Sequence, residues 1–125
     1  MKKLLSIILV LTFVISLTSC GNAFDNAVEE MKEYGFNVTT SGPISCSALE
    51  DQTGIKFTGK ILRHFSCMDY DEKTHMIVSL HANEFEHKSD ARAIYNYVKE
   101  KGLYAQIKGN VVVWGTMEII EDLNL

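Results

Sequence analysis

Three of the four histidines, His64, His75 and His81, fall within two neighbouring stretches rich in β-branched and aromatic residues. Imidazole binds zinc or copper and moves protons near neutral pH, so a cluster of these three would matter chemically. Their parity brings them together. An antiparallel pairing that buries both apolar sets makes His64 and His81 diagonal neighbours on the opposite, outward face, roughly 7–8 Å apart. His75 has the parity of His81. This face is a candidate surface for a metal or a small ligand. No HExxH-type spacing accompanies the histidines, and polar side chains on a wet sheet face account for them as well. No metal or cofactor is required by the sequence.

Other chemistry is mostly missing. Asp69, Asp71 and Glu72 make a short acidic loop, but it lacks the central glycine and final glutamate of a calcium loop. No serine stands in a G-x-S-x-G setting, and no phosphate-binding glycine loop is present. Tyr34, Tyr70, Tyr97, Tyr104 and Trp114 offer aromatic surface for an interface, although Trp114 at a strand end reads as core. The chain therefore reads as a non-enzymatic protein, with a hydrolase-like site formed only on folding as the remoter alternative.

The elements that must position these residues follow from periodicity. Phe24, Ala27, Val28 and Met31 make a helical stripe, capped by Asn22 and ended by Gly35, with Phe36 folding back. Residues 36–40 read as a short strand. The Ser47-to-Glu50 spacing suggests a capping box for a short helix over 48–53. Residues 55–68 and 75–85 alternate with period two. Ile55, Phe57, Ile61, Phe65 and Cys67 share one face of the first strand, and Met76, Val78, Leu80 and Ala82 one face of the second. Burying both sets requires an odd-sum register, for example Phe65 opposite Val78. Arg63 interrupts the inward set, which predicts a bulge or strand end there.

Ser89 caps a helix over 90–101 with Ala91, Ile94, Tyr95 and Val98 inward. Strands over 103–108 and 111–115 flank Gly109-Asn110, a two-residue hairpin signal. Residues 111–114 are apolar on both parities, as in a strand covered on both sides. Thr116 caps a last short helix. The order α-β-(α)-β-β-α-β-β-α predicts an α+β fold, a single antiparallel sheet with helices packed on one face.

The first 22 residues differ in kind. Lys2 and Lys3 precede an apolar run from Leu4 to about Thr18, and small residues close it. This is the layout of an export signal, and the run is shorter than the roughly 20 residues of a spanning helix. Leu17-Thr18-Ser19-Cys20 resembles the lipobox of bacterial lipoproteins. That resemblance implies cleavage before Cys20 and a thioether-linked diacylglycerol on its sulfur. It divides the chain into a signal peptide, 1–19, and one α+β domain, 20–125. Hardly any tether separates Cys20 from the first helix, which places the domain close to the bilayer surface.

Removing the leader takes away two lysines and moves the formal charge from −4 to −6. So acidic a body has no electrostatic footprint for nucleic acid and is weakly repelled by an anionic leaflet. Cys46 and Cys67 remain, without the CxxC spacing of redox or metal sites. In an exported protein they are expected to form a structural disulfide, two separate buried thiols being the other reading. The sequence thus leads to a lipid-anchored protein on the extracytoplasmic face of the cell membrane. The expected role is binding of an envelope protein, with a metal or small ligand on the face of His64, His75 and His81 as the alternative.

Overall fold

The computed structural model describes residues 23–125. The leader, the lipobox with Cys20, and the Asn22 cap lie outside the described residues. The elements are helix α1 (Ala23–Glu33), short helix α2 (Ser47–Thr53), strands β1 (Ile61–Asp71) and β2 (Met76–Phe85), helix α3 (Lys88–Glu100), strands β3 (Tyr104–Lys108) and β4 (Val111–Gly115), and a final 3-10 turn (Glu118–Asp122). The strands form one sheet in the order β1-β2-β4-β3, every pairing antiparallel. This is the expected α+β architecture, with helices packed against a single sheet.

Phe65 lies opposite Ala82 and Cys67 opposite Leu80, so the register has the expected odd-sum parity, four residues further along β2 than Phe65 opposite Val78. The register shifts between Ile61 and Arg63, at the predicted bulge. The shift moves Ile61 to the other face from Phe65. Two cores result, one on each side of the sheet. The first holds Phe24, Ala27, Met31, Phe65, Leu80, Val113 and Ile120; the second holds Cys46, Ile61, Phe85, Ile94, Val98 and Val112. Helices therefore cover both faces rather than one: α1 and the 3-10 turn serve the first core, α3 and the segment around α2 the second. A strand with both parities apolar, such as β4, requires this double cover.

Local features hold the layers in place. Gly35, at φ 93°, ends α1, and the amide of Phe36 donates to the Met31 carbonyl at 3.0 Å, as expected. Arg63 grips Glu84 with two nitrogens at 3.1 Å each, reaches Asp25 at 2.7 Å, and lies 4.6 Å from the Phe24 ring centre. The bond to Glu84 is the main reason its pKa is raised. Gly115 permits the close approach of β4 to β2, since a Cβ there would fall on the Ser79 carbonyl oxygen. Helix α3 begins at Lys88 rather than after a Ser89 cap, and its buried Asp90 turns inward. Asp90 accepts hydrogen bonds from the amides of Thr58 and Gly59, each at 3.0 Å, tying the chain ahead of β1 to α3.

Several expectations change. Residues 36–40 and 55–60 form no strand; the edge of β1 is met only by single bridges from Ser41 and Ile44. The capping box of α2 does not form, because Glu50 accepts from the Phe57 amide at 2.9 Å instead. Cys46 and Cys67 are not disulfide-bonded: both are free buried thiols. The physical reason is the sheet itself, since Cys67 belongs to the first core and Cys46 to the second. Burial pushes both thiol pKa values up, for Cys46 with help from Asp90 and Glu50. The expected membrane association receives no spanning segment here: among the described residues no helix is long and apolar enough to cross a membrane.

Two outcomes check this arrangement. Asp90→Ala leaves two amides without their acceptor and should cost about 2–3 kcal/mol in urea unfolding; a change within about 0.5 kcal/mol contradicts the role. A domain starting at Gly21, purified in air, should react with Ellman's reagent at both thiols once denatured and at neither rapidly when native. A denatured chain with no reactive thiol contradicts the separation of Cys46 from Cys67.

Candidate functional site

The histidine face is the side of the sheet that α3 and α2 cover. Along β1 and β2 it presents His64 opposite Asn83 and Ser66 opposite His81, with Trp114 of β4 beyond His81. His64 and His81 are thus diagonal neighbours on one face, as their parity requires. His75 is elsewhere. It sits in the β1–β2 turn with φ 57°, its Nδ1 2.9 Å from the Tyr70 hydroxyl. Among the described residues no group of three His, Cys, Asp or Glu side chains is arranged to hold a metal ion.

This face is not fully wet. Helix α2 lies over it without burying any residue of its own, and a cleft of about 290 Å³ remains beneath. Ile44, Leu49 and Ile61 form the apolar rim, and Gln52 reaches in from α2. The floor is His64, Ser66, His81, Asn83 and Trp114. A smaller cavity of about 170 Å³, between α2 and α3, shares Leu49, Gln52 and Trp114 with it. Among the described residues no carboxylate, lysine or arginine lines either space.

Within the cleft the groups are ordered by mutual contacts. Ser66 Oγ and His81 Nδ1 are 2.9 Å apart, and the His81 ring stacks on Trp114 with centroids 5.4 Å apart. Burial lowers the His81 pKa, so the imidazole is neutral at pH 7. Asn83 is 7% exposed, yet its carboxamide has no hydrogen-bond partner among the described residues. Nor is any of its polar atoms sealed from solvent. The carboxamide therefore faces the cleft with its donors and acceptor unused by the described residues.

A second feature is the hairpin itself. Strand β4 ends opposite Leu80, so the last turns of β1 and β2 project past the sheet. Met68, Tyr70 and Ile77 are exposed on the histidine side of this projection and Met76 on the other, each more than half accessible. A further cleft, of about 410 Å³, runs between Gly35–Asn37 and the outer edge of β1 at Ser66–Asp69.

The sequence pairs His64 with His81 but gives no prominence to Ser66, Asn83 or Met68. The apolar 111–114 run is the signal that would have found the cleft, because it requires cover on the face where Asn83 stands. Comparison with protein-family models, curated proteins and solved structures finds no match in any of the three.

A neutral His81 has a consequence for acid stability. The unfolded chain takes up the proton first, at about pH 6.5, so stability falls with pH from there down to the lowered folded value. Proton NMR should place the His81 pKa below 6.5, and His81→Gln should reduce the loss of Tm between about pH 7 and 5.5. A His81 pKa at or above 6.5 contradicts the burial argument.

Proposed function

We propose that this protein is a lipid-anchored, non-enzymatic interaction module on the extracytoplasmic face, which holds its β1–β2 hairpin out to a protein partner of the cell envelope. The observation that carries this reading is the apolar hairpin tip, Met68, Tyr70, Met76 and Ile77, exposed beyond the end of β4. Clustered apolar side chains at the tip of a projection, rather than scattered over a surface, mark an interaction site.

The position of the tip relative to the chain start supports the same reading. Helix α1 begins beside Arg63, through Asp25, and its C-terminal loop approaches Ser66–Asp69. The strand from Arg63 to Asp71 rises about 26 Å. A diacylglycerol on Cys20 stands three residues before Ala23, a reach of at most about 10 Å. It would hold the α1 start near the bilayer and turn the hairpin away from it. The net acidic body favours this arrangement, since an anionic leaflet repels it. Acyl chains contribute about 0.8 kcal/mol per buried methylene, and two or more give a stable anchor.

Non-enzymatic binding is also the simpler reading of the cleft. The Ser66–His81 pair has no carboxylate bonded to the imidazole among the described residues, whereas an activated serine needs a base oriented by a third group.

In its own host, Cys20→Ala should move the protein from the membrane to the soluble fraction. A photo-crosslinking residue at Ile77 should yield one discrete adduct in intact envelope, absent when the same group replaces exposed Arg92 on α3. A membrane-bound Cys20→Ala protein contradicts the anchor. Identical adducts at both positions, or none at Ile77, contradict the hairpin.

A further inference from the structure

The cleft beneath α2 carries a second inference, independent of the hairpin. Its decisive group is Asn83, nine-tenths buried, facing the cleft and without a hydrogen-bond partner among the described residues. Among the described residues no protein group uses the Asn83 carboxamide, and its polar atoms open only onto the cleft, so its hydrogen-bonding edge is presented to whatever enters there. A carboxamide offers one carbonyl acceptor beside one N–H donor. The complement of that edge is another amide with its N–H and C=O on the same side, as in a lactam or imide ring.

The surroundings narrow the class further. Among the described residues no carboxylate, lysine or arginine lines the cleft, and Ser66 already occupies one nitrogen of His81. A charged ligand would be stripped of water with no opposite charge to meet it. Trp114 and His81 give an aromatic wall, and Ile44, Leu49 and Ile61 an apolar rim. About 290 Å³ accommodates one ring with a small substituent. We infer that this cleft binds a compact, uncharged ring compound through a cis-amide edge paired with the Asn83 carboxamide, its body held between Trp114 and the apolar rim.

The chain contains a built-in reporter, because Trp114 is its single tryptophan. Uracil and the cyclic dipeptide cyclo(Gly-Leu) are the probes, each carrying the required edge on a different body. 1,3-Dimethyluracil is the control, with the same stacking ring but a methyl group in place of each N–H. At least one probe should change Trp114 fluorescence and shift the Asn83 side-chain amide resonances at concentrations up to about 10 mM. The same probe should bind Asn83→Leu at least tenfold more weakly, and dimethyluracil should bind the unaltered domain at least tenfold more weakly than uracil if uracil is that probe. Failure of both probes overturns the proposal. So does dimethyluracil binding as well as uracil, or a saturating probe that leaves the Asn83 resonances in place. The comparison of probes on the unaltered domain stands even if Asn83→Leu fails to fold.

Discussion

The bulge between Ile61 and Arg63 decides which side chains can meet. Side chains alternate across a strand, so one extra residue exchanges the two faces for everything beyond it. Phe65 and Cys67 therefore pack with Phe24 and Leu80, while Ile61, in the same strand, packs with Phe85. Without the shift, the apolar residues of β1 would all face α1 and the second core would lose its edge. Arg63 sits at the break and joins Glu84 to Asp25, which pins α1 to the sheet at the same point. The arm to Glu84 is bidentate and fixes the guanidinium, which then meets Asp25 of α1 through one further nitrogen.

The two faces differ in how they are closed. Helix α1 brings five buried residues to the first, and Gln106 holds the C-terminal segment against it through the carbonyls of Ile120 and Leu123. The second has the long helix α3 on β3, β4 and part of β2, but toward β1 only Ile44 and the short α2, through Leu49 and Gln52, stand over the sheet. A helix that buries no residue of its own cannot seal a sheet face. The cleft with Asn83 and His81 follows from that shortfall. The projecting hairpin follows from another mismatch of lengths, since β1 and β2 outrun β4 by several residues.

Much of this was legible in the residues. The α1 stripe, the termination at Gly35, the Gly109-Asn110 turn, the extent of β4 and the parity of the β1–β2 pairing are local patterns, and local patterns survive folding. What failed was the inference from one strand to its whole length. Ile55, Phe57 and Ile61 have the parity of Phe65, but a bulge erases parity and residues 55–60 leave the sheet. The disulfide between Cys46 and Cys67 fails on topology: two cysteines left over in a chain expected to be exported look like a pair until a sheet stands between them. For the site, parity places His64 beside His81, yet period-two alternation alone reads that face as wet and Asn83 as an ordinary outward polar residue. The doubly apolar β4 already required cover there.

The two cores exist only if Ile61 and Phe65 face opposite sides of the sheet. Nuclear Overhauser contacts between assigned side chains test this directly. The Ile61 methyls should show contacts to the Phe85 ring and none to Phe24, while Phe65 should show contacts to Phe24. Contacts from Ile61 to Phe24 would mean a continuous strand without the bulge, and would contradict the two-core arrangement on which both the cleft and the separation of the thiols rest.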